Sequence, residues 1–428
     1  MIRLFKDGKL FYKNRFQDLD FLIDDEGKIV IADAIELDDN DVDEVIDCRG
    51  IHIMPGFIDP HVHLRQPGFE YKETIKTGTT AAAHGGVTTV FAMPNLNPVP
   101  DSLENLSIQQ DAIDKDAVVK VYPICAITKG QKSRSEVGDI DTLSQACFLY
   151  SNDGVGVQDE DTMRQAMKLV EKNDGVIIAH CEDEDELLPG GCVHMGKKDK
   201  EYGLVGINSA SEYKQVQRDL KLVEETGCQY HICHMSTKES VEALREAKKK
   251  GLPVSGEVTV HHLLLCEDDI TENHGRFKMN PPLRSKEDQE ALIRGIQDGT
   301  IEMIATDQAP HSEEEKNCTM DKAKMGIVSI ERSFALVYTY LVRKGIITLE
   351  QAVRLMSCNA AEIFRIPGGE IVNFEKCDLA FFHLNTNEKI NASKFVSKGK
   401  STPFDKMYVQ AKCVMTIVDG KIVFRRDI

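Results

Sequence analysis

Histidine and aspartate recur at one kind of position in this chain, just after a short apolar run. His61 and His63 close GFIDPHVH, Asp153 closes CFLYSND, His180 closes GVIIAHCED, His234 closes QYHICHMS, and Asp307 sits in EMIATDQAPH. On a strand, residues i and i+2 share a face, so the HVH pair can grip one metal ion from a single strand. Singly, each residue has a plainer reading: an incidental histidine pair, an Asx turn at Asp153 before Gly154, a satisfied core imidazole at His180 or His234, a helix N-cap at Asp307. Six metal-capable side chains at equivalent places argue instead for one joint role. Four histidines and two carboxylates exceed what one tetrahedral zinc with an open position needs, so two ions bridged by a carboxylate and hydroxide are the economical assignment. Nitrogen and oxygen ligands without thiolate suit zinc, with manganese or cobalt as alternatives.

Elements that would bring these ends together are legible in the pattern. Eight apolar runs close on polar residues: the five above together with TTVFAMPN, KVYPICAIT and PVSGEVTVHH. Helical stretches separate several of them, at 162–173, 213–227 and 238–251. This alternation predicts an α/β chain built as a (β/α)8 TIM-like barrel over 56–370, whose catalytic groups stand at the C-terminal strand ends. Residues 1–55 and 371–428 read differently, as short strands around turns at Glu26-Gly27 and Asp419-Gly420, with an acidic stretch DDNDVDEVID between. Each end is too short to bury a core alone, so the two are expected to pair into one small β-sandwich domain. LEQAVRLMSCNAAEIFRI is expected to be helical.

The 428 residues carry 52 Lys plus Arg against 70 Asp plus Glu, a formal charge of -18, with 41% hydrophobic residues. That balance disfavours a nucleic-acid or anionic-membrane surface. An anionic ligand needs a local device to overcome the field. Twelve scattered cysteines without a CxxC pair read as reduced thiols in a cytoplasmic protein, and no run has the roughly 20 apolar residues of a membrane span.

The stretch GFIDPHVHLRQPGFEYKETIKTGTTAAAHGGVTTVFAMPN resembles the opening of the dihydroorotases of the amidohydrolase superfamily. The likeness continues through YSNDG, HCED, HICHMST, GEVTVHHLLL, MNPPLRS, ATDQAPH and STPF. HxH with a later His, His and Asp marks only the superfamily; HLRQPG, MPN and MNPPLR narrow it to the dihydroorotases, among which the chain most resembles the bacterial, single-function type. The resemblance implies that His61, His63 and Asp307 hold one zinc, His180 and His234 hold the other, and Asp153 bridges them with hydroxide. Many relatives bridge with a carboxylated lysine, and CFLYSND has none, which places the chain in the aspartate-bridged branch. Gln66 and Gln308 depart from the usual glutamate and histidine without touching the ligand set.

The activity so implied is the reversible cyclisation of N-carbamoyl-L-aspartate to L-dihydroorotate plus water in de novo pyrimidine biosynthesis, with Asp307 as general acid and base. Arg65, Asn95 and His311 would hold the substrate carboxylate, and Asn280 the pyrimidine edge. A homodimer and an association with aspartate transcarbamoylase are the partners the resemblance suggests. Two other readings compete: a hydantoinase- or allantoinase-like cyclic amidase, and a non-catalytic scaffold of aspartate transcarbamoylase. His231, three residues before His234, is expected to face away from the site against a helix. His261 and His262 are expected near its mouth without binding metal.

Overall fold

The computed structural model describes residues 1–31 and 42–426. Each of the eight apolar runs contains a strand: Phe57–Val62, Val87–Ala92, Lys120–Pro123, Leu149–Ser151, Val176–Ala179, Gln229–Ile232, Val254–Thr259 and Met303–Ala305. Neighbours pair in parallel, the third run joining the fourth through Cys125–Ala126. A parallel bridge between Val62 and Gln308 links the first strand to the segment after the eighth. Most of these strands are buried on both faces, Lys120–Pro123 being half-buried, which explains why they read as continuous apolar runs and not as alternating ones.

Helices fall between the strands where periodicity places them. Glu160–Lys172 starts on Asp159, whose carboxylate accepts the Thr162 N–H, and buries Met163, Ala166, Met167 and Val170. Those positions follow the 3.6-residue repeat of one helical face. Ala210–Thr226 stops at Gly227, and Lys286–Asp298 at Gly299, both left-handed (φ 73° and 78°) as a C-terminal cap demands. The predicted last helix spans Leu349–Phe364, with a wider π turn at Arg354–Cys358.

Both chain ends contribute to one six-stranded sheet, in the order Lys421–Arg425, Lys412–Val418, Leu379–His383, Ile51–Pro55, Lys9–Tyr12, Arg15–Asp18. A four-stranded sheet of Ile29–Ile31, Phe21–Ile23, Arg3–Lys6 and Glu44–Asp47 shares a core with it. Phe5 in that core stacks on Phe21 at 4.8 Å and meets Phe381 of the larger sheet at 5.4 Å. The two turns read from sequence close hairpins and touch each other: a Cβ on Gly420 would lie 2.2 Å from the Gly27 Cα, so neither turn tolerates a side chain there. Part of the acidic stretch, 38–41, lies outside the described residues. Residues 390–409 leave these sheets and pack on the main core through Ile390, Phe395 and Phe404. No helix among the described residues is long and apolar enough to cross a membrane.

Candidate metal centre

The backbone leaves the strand direction where the candidate ligands stand. His234 (φ 32°), Asp307 (φ 45°) and, two residues past His63, Arg65 (φ 60°) adopt the left-handed region, a conformation that costs a non-glycine residue about 1–3 kcal/mol and persists where surrounding structure enforces it. Asp59 supplies some of that enforcement. Its carboxylate accepts the Thr306 hydroxyl at 2.6 Å and the Thr306 N–H at 3.1 Å, tying the first strand to the residue before Asp307.

The six candidate ligands converge. Asp153 Oδ1 lies 3.3 Å from His61 Nε2 and 3.6 Å from both His180 Nδ1 and His234 Nε2, while Oδ2 lies 3.5 Å from His63 Nε2. One carboxylate thus faces four imidazoles. Asp307 Oδ1 approaches His63 Nε2 at 3.1 Å and His61 Nε2 at 3.6 Å, and His180 Nδ1 is 3.0 Å from His234 Nε2. Ligand atoms of His61, His63 and Asp307, and of His61, Asp153 and His234, lie mutually within 4.8 Å.

Buried polar atoms without partners are costly, yet His61 Nε2 and Asp153 Oδ1 have no hydrogen bond. A cation among them would satisfy both, so the residues present fit a metal group. In its absence, burial works against the His61 imidazolium, but the Asp153 carboxylate overrides this and lifts the ring well above the usual imidazole range. Burial likewise opposes the Asp153 anion, and His61 and its neighbours hold the carboxyl well below its usual range. A third grouping of His61, Cys233 and Glu257 suits no ion. Burial pushes the Cys233 thiol far up, and Glu257 is already spent on hydrogen bonds.

A cavity of about 300 Å³ opens over the cluster, lined by nine of the ten sequence-predicted site residues, with His61 buried behind it. Arg65 donates from Nε to the Pro310 carbonyl at 3.3 Å and lies 3.4 Å through Nη2 from His311 Nε2. Burial and then Arg65 push His311 down to about 3, so the ring is neutral and Arg65 carries the positive charge. Asn95 donates to the Asp153 carbonyl at 2.7 Å and leaves its own oxygen unpartnered. Asn280 donates to Glu182 Oε1 at 2.8 Å, so part of its amide is engaged within the protein.

His231 packs against the last helix as read from sequence, its ring 5.2 Å from Phe364, but it does not face away from the site: its Nε2 lies 3.1 Å from Glu257, the carboxylate that also holds His61. His261 and His262 correct the sequence reading: both are fully buried and neither lines the cavity, because the chain turns into a short helix at Val260–Leu264 straight after the strand.

Glu257 was missed. Its Oε1 accepts from His61 Nδ1 at 3.0 Å and from the His234 N–H at 3.2 Å, while Oε2 pairs with His231 Nε2 at 3.1 Å, itself anchored on Ser255. The signal was a glutamate inside the apolar run GEVTV, where a lone charge is expensive unless it is fully bonded. A carboxylate behind a metal-facing imidazole fixes its tautomer and orientation. Glu257→Gln is therefore expected to weaken metal binding roughly 10–100-fold with the fold intact, read by titration against a metal buffer alongside circular dichroism. Unchanged affinity would reduce Glu257 to core packing.

A Dihydro-orotase-like family model matches residues 50–240. Over all 428 residues, and the whole length of the relative, the chain is 46% identical to a dihydroorotase of Staphylococcus aureus strain Mu50. The chain belongs to the dihydroorotase family. A family member from Bacillus cereus strain B4264 is 47% identical over 427 residues, covering 99% of this chain and 98% of the relative. Among solved structures, an L-hydantoinase (dihydropyrimidinase) from Arthrobacter aurescens superposes with TM-score 0.88 at 24% identity, covering 100% of this chain and 96% of that one. A D-hydantoinase gives 0.86 at 25%, covering 99% and 95%. This chain thus shares its fold with the hydantoinases, while its full-length sequence identity is to dihydroorotases.

Proposed function

We propose that this chain is a metal-dependent dihydroorotase that interconverts N-carbamoyl-L-aspartate and L-dihydroorotate in pyrimidine biosynthesis. The observation that carries the reading is the Asp153 carboxylate set among four imidazoles, beside a cavity that also holds a buried arginine. His61, His63 and Asp307 would hold one zinc ion and His180 and His234 a second, with Asp153 between. Bound there, two such ions would polarise the amide carbonyl and supply activated water near neutral pH.

The chain's own residues do the rest. Arg65 is the charge that meets the substrate carboxylate, with the free Asn95 oxygen and the neutral His311 ring setting its surroundings. Asn280 and its Glu182 partner offer the polar edge opposite. In ring opening, the attacking water gives a proton to the Asp307 carboxylate as its oxygen bonds to the amide carbon, and Asp307 returns that proton to the ring nitrogen as the C–N bond breaks. Ring closure runs the same transfers backwards. Burial favours the neutral acid, but hydrogen bonding to His63 and the histidine charges hold Asp307 below the usual carboxylate range.

The same reading closes the eight strands into a (β/α)8 barrel over 56–370, which the Val62–Gln308 bridge supports, with 1–55 and 371–428 as a composite β-sandwich domain. It includes a cytoplasmic location, a homodimer and an association with aspartate transcarbamoylase, for which sedimentation of the mixed proteins is the check.

The test is hydrolysis of L-dihydroorotate by the zinc-loaded protein, followed as loss of ring absorbance, with hydantoin and allantoin in parallel and a chelated control. Turnover confined to dihydroorotate and lost on chelation is the expected result. Turnover of hydantoin or allantoin instead would hand the chain to the hydantoinases, and silence with metal bound would make it a scaffold. Arg65→Ala is expected to raise KM for dihydroorotate by the equivalent of about 1.5–3 kcal/mol, the worth of a charged hydrogen bond. An unchanged KM would remove Arg65 from the site.

A further inference from the structure

A second cavity, about 550 Å³, shares His311 with the cavity over the candidate metal centre. Arg276, Lys316, Lys398 and Lys400 line it, against the carboxylates Glu313 and Asp405. In a chain of formal charge -18 this local excess of cations is unusual. Arg276 pairs with Glu272. The three lysines have no carboxylate within ion-pair distance among the described residues. Lys316 donates to the carbonyls of Lys278 (3.0 Å) and Lys324 (2.7 Å), Lys398 to that of Glu70, and Lys400 to those of Phe395 and Ser397.

Independent observations point to a missing partner. The Ser401 hydroxyl and the Arg276 Nε are both buried and have no hydrogen-bond partner, and both residues line this cavity. Lys316 is only 2% exposed, and burial lowers its ammonium to about 7. A buried amine without a carboxylate is costly to keep charged, and an anion in the cavity would repay that cost. Hydroxyls of Ser312, Ser393 and Thr402 add polar atoms to the wall.

We propose that this cavity binds the phosphoryl group of a small phosphate-bearing ligand, distinct from the substrate, held by Arg276, Lys398 and Lys400. A tetrahedral dianion suits several donors converging from different directions, where a planar carboxylate would use fewer. His311 belongs to both walls, so an anion here adds negative charge behind the group that faces the substrate carboxylate. Occupancy should then raise KM for dihydroorotate and leave kcat unchanged.

The experiment is calorimetric titration of the metal-loaded protein with inorganic phosphate and, separately, with adenosine monophosphate, for the wild type and for the Arg276→Gln/Lys398→Gln variant. One phosphate per chain is expected in the wild type, unaffected by saturating dihydroorotate except for a modest weakening, and roughly tenfold or more weaker in the variant. Tighter binding of the nucleotide than of phosphate would identify an organic phosphate as the ligand; equal binding would identify the free ion. Phosphate binding that survives in the variant and is displaced fully by dihydroorotate would place the anion on the metals and overturn the proposal. So would absence of binding of both probes to the wild type; a lowered kcat/KM of the variant at low salt beside it would make the cations an approach path for substrate.

Discussion

Asp307→Asn is expected to lower dihydroorotate turnover by about a thousandfold or more, since general acid–base catalysis contributes 10²–10⁴-fold and this residue serves in both roles. The substitution is nearly isosteric. Its remaining oxygen can still face His63 Nε2, where Asp307 Oδ1 now lies at 3.1 Å, and the Asp59–Thr306 clasp that sets the backbone is untouched. Metal content should therefore stay close to that of the wild type, and KM should move little. What the amide cannot do is take a proton from water and return it to the ring nitrogen. The measurement pairs steady-state kinetics in both directions with metal analysis of the same sample. Loss of turnover with metal retained locates the defect in proton transfer; near-normal turnover would sink the assignment of Asp307 as acid and base.

Much of this site could be read from the chain because its geometry is one-dimensional. Residues that follow a buried parallel strand are delivered to one rim by the fold, so a polar residue ending an apolar run carries positional information before any coordinates exist. That holds for His61, His63, Asp153, His180, His234 and Asp307, all of which meet around Asp153. Spacing could not show what stands behind them. Glu257 reaches His61 from another strand, 196 residues away in sequence, and Glu182 meets Asn280 across 98. Such partners are fixed by side-chain direction in three dimensions, and only the oddity of a charge within GEVTV hints at one. His261 and His262 went astray for a related reason: the strand ends at Thr259 and the chain coils at once, carrying both rings into the core. At the chain ends, turn chemistry at Glu26-Gly27 and Asp419-Gly420 was local and legible, whereas the contact of one turn with the other was not.

Asp153→Ala is expected to have the other large effect, on metal content first and on turnover as a consequence. No other carboxylate among the candidate ligands faces all four imidazoles, so nothing present can bridge in its place. Bound metal should fall from two ions per chain to one or none after dialysis, and turnover by at least about a thousandfold, the range that separates an assembled from a dismantled electrophilic site. Stability supplies a readout that does not depend on activity. An ion that binds only the folded chain stabilises it by RT ln(1 + [L]/Kd), about 4 kcal/mol at a thousandfold excess over Kd. Chelation should therefore lower the wild-type melting temperature markedly. In the variant that drop should shrink, because the ion is already absent. The metal-free variant should also melt below the metal-free wild type, since removing Asp153 takes one carboxylate from the buried His61 ring and leaves only Glu257 and Asp307 beside it. Two ions per chain retained in Asp153→Ala would show that the histidines and Asp307 suffice, and would remove Asp153 from the bridge.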